Sequence, residues 1–363
     1  MKYLDEYRNP KIAHQWSEKI HAITTRDWTL MELCGGQTHS IMKNGLMALL
    51  PLQIHIIHGP GCPVCVTPVG LIDVAIELSL KHDVIVCSFG DMMRVPGTKI
   101  SLLEAKSRGG HIQILYSPLE AVKLAQQNPD KQIVFFSVGF ETTAPANALS
   151  VVQAYQLGLK NYSILTAHVL VPPAIEAIMD DEKTKVNAFL AAGHVCTIMG
   201  YQEYYPLVEK YHTPIIVTGF EPMDLLQGIY MAVKQLESNK AEVENQYTRY
   251  VTEEGNQEAQ NIIFEVFEIG NREWRGLGTI KNSGYSIRKK YQAYDAIHKF
   301  EVKNFTGFEN EFCIAGDILK GLKKPHECPQ FGKGCTPEFP LGAPMVSTEG
   351  ACSAYMNYGW NKD

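Results

Sequence analysis

Between residues 28 and 218 one module keeps returning: a short apolar, β-branched run, a turn rich in glycine and proline, then a helical pattern. The apolar runs are 28–33, 54–57, 84–88, 112–116, 132–138, 163–165, 188–190 and 214–218. Helical crossovers between consecutive strands force parallel pairing, because a parallel partner can only be reached by carrying the chain back along the sheet. The expected fold class is therefore α/β with parallel, Rossmann-like sheets. The pattern restarts at the strongly apolar 132–138, and the turns Phe89-Gly90-Asp91, Gly139-Phe140-Glu141 and Gly219-Phe220-Glu221 look like one theme repeated. This points to two similar four-strand domains, 24–128 and 129–240, related by pseudo-symmetry. Ahead of them, Ile12, Ala13, Trp16, Ile20 and Ile23 have helical spacing, so residues 1–23 are expected to form a helix packed on the C-terminal domain, 241–363.

Composition narrows the function classes. The 363 residues carry a net charge of −6 and no basic block, which argues against a nucleic-acid or anionic-membrane partner. The opening Met1-Lys2-Tyr3-Leu4-Asp5-Glu6 lacks a signal-peptide core, and no apolar run approaches membrane-spanning length. A cytoplasmic location is expected. Nine cysteines in that compartment indicate metal or redox chemistry rather than a disulfide framework.

The chemistry gathers where strands end, since ligands of open parallel sheets bind beyond the carboxyl ends of the strands. The polar residues there are Cys34, His39, Cys62, Cys65, Asp91, Arg94, Glu141, His168, His194, Glu221 and Asp224. Cys62 and Cys65 sit in Gly59-Pro60-Gly61-Cys62-Pro63-Val64-Cys65, a stiff loop leading into a helix. A helix start favours thiolate, and the prolines limit loop motion, so these are reactive or metal-binding candidates. Cys34-Gly35-Gly36-Gln37-Thr38-His39 offers a thiol, close-approach glycines and an imidazole at another helix start, where a depressed thiol pKa is expected. For the carboxylates Asp91, Glu141, Glu221 and Asp224, helix capping competes evenly with acid–base work. Cys87 and Cys196 lie among apolar residues and read as packing thiols.

Residues 313–352 contain Cys313, Cys328, Cys335 and Cys352 among glycines, prolines and short turns. A segment with so little core needs a staple. Four thiols suit tetrahedral zinc or a cubane iron–sulfur cluster, and the wide spacing favours the cluster.

Together, Cys34-Gly35-Gly36-x-Thr38-His39, Gly59-Pro60-Gly61-Cys62-Pro63-Val64-Cys65, Phe89 to Gly97, Gly139-Phe140-Glu141-Thr142-Thr143, Gly219-Phe220-Glu221-Pro222-Met223-Asp224, Trp274-Arg275-Gly276-Leu277-Gly278 and Glu349-Gly350-Ala351-Cys352 resemble the HypD family of [NiFe]-hydrogenase maturation proteins. Gln37 stands where many members carry histidine. The resemblance implies a scaffold for assembling Fe(CN)₂CO, the iron centre delivered to the hydrogenase large subunit. It implies a [4Fe–4S] cluster on Cys313, Cys328, Cys335 and Cys352. Cys34 would hold the iron jointly with a cysteine of a small HypC-type chaperone, with His39 beside the metal. Cys62 and Cys65 would be a redox dithiol, supplying the two electrons that free cyanide from a HypE-type donor. Two other readings of the residues compete: an iron–sulfur-dependent thiol–disulfide oxidoreductase, and a zinc-stabilised binding module.

Overall fold

The structure, a computed structural model, describes residues 6–303 and 306–359. The eight expected strands form: β1 (Trp28–Glu32), β2 (Ile54–His58), β3 (Val84–Ser88), β4 (Ile112–Ile114), β5 (Gln132–Gly139), β6 (Tyr162–His168), β7 (Ala188–Ala192) and β8 (Ile215–Thr218). A short β9 (Val243–Asn245) follows, then β10 (Phe267–Trp274) and β11 (Gly278–Ile287). The chain is α/β, with two wholly parallel sheets ordered β2-β1-β7-β8-β9 and β4-β3-β5-β6.

Without β9, the two orders are the same: second, first, third, fourth. The topology thus repeats, but the sheets do not divide the chain between 24–128 and 129–240. The chain leaves the first sheet after β2, builds the whole second sheet, and returns at β7, where Leu30 pairs with Ala188 and Met31 with Phe189. The sequence pattern could not show this. Strands buried on both faces carry no partner label, and loop-closure entropy grows so slowly with length that a whole sheet can be inserted at little extra cost.

Side-chain alternation supplies each sheet with two cores. On the first, Leu30, Ile54, Ile56, Ala188, Leu190 and Ile216 face the helix Pro222–Glu237, while Met31, Leu33, Ile57, Phe189 and Val217 face the other way. On the second, Val84, Val86, Val134 and Phe136 pack on Val69–Ser79, and Ile133, Phe135 and Ile164 on Ala144–Gln156.

The N-terminal helix Pro10–Ile23 forms, capped by the Asn9 side chain on Lys11 N (3.0 Å). It packs against the helix Pro222–Glu237 rather than on the C-terminal domain: Ile20 joins the Leu225–Ile229 cluster and Trp16 meets Tyr230 edge-on at 5.2 Å. Residues 1–5 of that expected helix lie outside the described residues.

β10–β11 is an antiparallel hairpin in a charged stretch of the C-terminal segment. Its faces are largely solvated and it is broken by a bulge between Gly270 and Arg272. Such a ribbon lacks the apolar alternation by which strands are recognised. The tip turns through Gly276 and Gly278, at φ +79° and +78°, a region that favours glycine. The remaining C-terminal segment consists of turns and short helices, ending in Ala351–Tyr358.

Candidate functional site

Each sheet reverses its strand order at one place, between β1 and β7 in the first and between β3 and β5 in the second. Such reversals open a crevice at the strands' carboxyl ends. In the first crevice, Cys34 follows β1 and Gly193-His194 follows β7. Cys34 Sγ lies 3.7 Å from His194 Nδ1, and the Phe220 ring covers both His194 (5.1 Å between centroids) and Gly36. Cys34 begins the helix Gly35–Lys43, as expected, but its thiol is not activated. It is 3% exposed, and burial pushes its pKa well above the ordinary thiol value, helped by the nearby carboxylates of Glu349 and Glu32; the N–H groups of Gly36 and Gln37 oppose this and lose. Desolvation outweighs a few helix-start dipoles here. Burial also lowers His194 to about 4, leaving a neutral imidazole against the thiol.

The second cysteine loop is locked to the first, backbone on backbone. Gly59 N donates to Glu32 O (2.9 Å) and Gly35 N to Gly61 O (3.1 Å). A Cβ on Gly61 would fall on the main chain of Leu33 and Cys34, so only glycine fits. Cys62 and Cys65 are joined as a disulfide, and Cys65 N donates to Cys62 Sγ at 3.3 Å. Both are buried in one apolar cluster with Cys34.

Cys62 also lines a cleft with the second sheet's reversal: Phe89, Gly90, Asp91, Gly139 and Thr143, joined by Ser347 and Glu349 of the C-terminal segment. Asp91 Oδ2 accepts from Ser347 Oγ (2.8 Å), and Arg94 donates to the carbonyls of Pro337 (3.2 Å) and Val346 (3.1 Å). Burial and the neighbouring Asp91 raise the Glu349 carboxyl. The crevice of one sheet and the cleft of the other thus meet at the cysteine loops, with 347–349 as their common wall.

Other expected site residues lie elsewhere. His39 faces the C-terminal segment, with Nδ1 3.2 Å from Thr348 O and Nε2 3.3 Å from Tyr358 Oη; the imidazole that touches Cys34 is that of His194. Glu141 is buried, takes Val171 N at 2.8 Å, and burial pushes its carboxyl up to about 8. Glu221 sits at the rim, clasped by Arg8 at 2.5 and 2.8 Å. Asp224 caps Glu221 N (3.2 Å) and is bidentate to Arg249 (2.7 and 2.6 Å). The three look-alike turns, each pairing glycine and phenylalanine ahead of an acid, therefore do three different jobs. His168 is fully buried between Ser137 and Thr143, and burial lowers it to about 3. Gln37 braces Ala191 O (3.1 Å) and Thr218 Oγ1 (2.6 Å). Cys87 and Cys196 are buried, the latter 3.8 Å from Tyr204 Oη.

A polar chain beside Cys34 was not singled out from the sequence. Glu32 and His58 end β1 and β2 opposite each other in register. Glu32 Oε2 accepts Cys34 N (2.9 Å); Oε1 accepts the Thr38 hydroxyl and His58 Nδ1 (2.7 Å); His58 Nε2 meets Tyr355 Oη at 3.0 Å. The available signal was a polar residue closing each of two apolar strands just ahead of a glycine-bearing cysteine loop.

Cys313, Cys328, Cys335 and Cys352 come together, lining one pocket whose other walls include Phe312, Ile314, Ile318, Gln330, Leu341 and Met345. Burial and the three other thiols push Cys352 strongly up. Cys335 Sγ accepts from Leu341 N (3.4 Å), and a Cβ on Gly342 would strike Cys313 Sγ. Four soft donors in an apolar cradle fit a thiolate-held metal group.

A family model described as "HypD: Hydrogenase formation hypA family" matches residues 11–359. The chain belongs to the HypD family. It is 47% identical over 368 residues to the hydrogenase expression/formation protein HupD of Azotobacter chroococcum, covering 99% of this chain and 97% of that protein. The HypD maturation factors of Azotobacter vinelandii (46%; 99% and 97%) and Escherichia coli K12 (44%; 99% and 98%) are similar throughout. As a HypD-family protein, this chain has its role in hydrogenase maturation. Among the described residues, no helix is long and apolar enough to cross a membrane.

Proposed function

We propose that this HypD-family protein is the cytoplasmic scaffold on which Fe(CN)₂CO is assembled, and that Cys34 holds the iron together with a cysteine of a HypC-type chaperone. The observation that carries this reading is the locking of the Cys34 loop to the disulfide loop through Gly61, in the crevice where the first sheet reverses. A buried, protonated thiol surrenders its proton when a cation enters, since the ion's charge offsets the cost of the buried thiolate. Cys34 is thus silent until its cargo arrives.

Freeing cyanide from a thiocyanate on a HypE-type donor leaves a thiol on that donor and takes two electrons. Conversion of the reduced Cys62/Cys65 pair to a disulfide releases two electrons and two protons, which balances the step. Cys313, Cys328, Cys335 and Cys352 would hold a [4Fe–4S] cluster, which would supply one-electron redox chemistry to the chain. The four thiols share one largely apolar pocket, and their wide spacing in the chain favours a cluster over zinc. The completed centre then passes to the hydrogenase large subunit.

The test is an infrared spectrum of the protein co-purified anaerobically with its small partner. Two metal-cyanide bands and one CO band, lost on Cys34→Ala, are expected. Their absence with the full maturation set present and the cluster chromophore intact would favour the thiol–disulfide oxidoreductase instead.

A further inference from the structure

Glu32, His58 and Tyr355 are 0%, 3% and 2% exposed, and such buried polar groups persist only when their partners are in place. Their hydrogen bonds converge on Glu32: Tyr355 Oη meets His58 Nε2, His58 Nδ1 meets Glu32 Oε1, and Cys34 N–H donates to Glu32 Oε2. The two ends belong to different sites. One is the main chain of Cys34. The other stands on the helix Ala351–Tyr358, one turn after Cys352, and that helix packs on Gly35–Lys43, which Cys34 begins. Glu32 and His58 cannot slide independently, because they are paired in the β1–β2 register. The Tyr355 ring also meets His58 edge-on at 5.2 Å, fixing the imidazole plane.

We propose that His58 and Tyr355 are positioning residues which transmit the arrangement of the four-cysteine pocket to the Cys34 loop through the carboxylate of Glu32. A displacement of the Ala351–Tyr358 helix moves the Tyr355 hydroxyl. The imidazole, held at 2.7 and 3.0 Å on its two nitrogens, carries that displacement to Glu32. Glu32 in turn holds the Cys34 amide, and with it the start of the Cys34 loop. The inference uses the proposed roles of the two sites, but the coupling belongs to the chain itself.

A double-mutant cycle on the full-length, reduced protein tests it. The readout is the rate of Cys34 alkylation by iodoacetamide at one fixed pH, measured by peptide mass spectrometry, in wild type, Cys352→Ser, Tyr355→Phe and the double variant. Cys352→Ser is expected to change the Cys34 rate by about threefold or more when Tyr355 is present and to have little effect with Phe at 355. Cys87 and Cys196, both fully buried, serve as controls: their rates stay at the wild-type value if the effect is positional and rise together if the fold is merely loosened. His58→Gln provides a second break in the chain and should likewise uncouple Cys352 from Cys34. Additive effects, an unchanged Cys34 rate in Cys352→Ser, or a parallel rise in the control cysteines would each overturn the proposal. Failure of the iron–sulfur reading shows separately, as wild-type protein that takes up no iron and gains no broad visible absorption on anaerobic reconstitution.

Discussion

Glu141 shows how far burial can move a residue from the role its motif suggests. One carboxylate oxygen holds Val171 N; the other has no hydrogen-bond partner. With its folded-state pKa raised from 4.5 to about 8, Glu141 keeps its proton in the native state over a range where the unfolded chain has lost it. Its contribution is therefore fully present below about 4.5 and fades as pH rises to about 8, with a slope of at most about 1.4 kcal/mol per pH unit. Glu141→Gln cannot ionise. Thermal unfolding midpoints of the variant should fall less between pH 5 and 8 than those of wild type; parallel curves would show that Glu141 is ionised in the folded protein. Cys34 teaches the same lesson with a thiol: its place at a helix start is legible in the sequence, but its burial is not.

Among the elements, the β10–β11 hairpin is what holds the disulfide loop. Trp274 packs against Phe140 (5.9 Å), Arg275 N donates to Val66 O (2.8 Å) one residue beyond Cys65, and the Arg275 side chain reaches Pro96 O (3.2 Å) and Glu309 (3.3 Å). This one turn thus joins the cysteine loop, the segment after β3 and the C-terminal strap. Arg275→Met keeps the apolar stem and removes the donors. It should cost about 1.5–3 kcal/mol in urea unfolding, the range for hydrogen bonds to charged groups. A loss below about 0.5 kcal/mol would mean that water replaces these contacts.

At the scale of the molecule, the C-terminal segment is both a site and a lid. Its short helices and turns carry the four-cysteine pocket, and residues 347–349 wall the cleft where the two sheets' loops meet. A segment with little core of its own depends on what its thiols bind, and a group bound only by the folded state stabilises it by mass action. Stripping the pocket with a chelator should lower the thermal midpoint, on the order of 5 °C. It should also expose 313–352 to protease before the sheets. An unchanged midpoint and digestion pattern would deny the pocket a structural role.

What the sequence determined by itself was local and chemical. The strand–turn–helix alternation dictated parallel α/β structure, because short apolar strands joined by helices have no other good pairing. Glycine turns beside cysteines marked both site loops, since only glycine permits the contact made at Gly61. The spread of Cys313 to Cys352 foretold a shared thiol pocket. Only the tertiary structure decided that β1 pairs with β7 across an inserted sheet, and that His194 rather than His39 meets Cys34. It likewise decided that Glu32, His58 and Tyr355 form a chain between two sites. Those outcomes depend on which strands share a ladder and which groups lose water. Pairing between distant segments and desolvation belong to the assembled fold, not to any stretch of chain read alone.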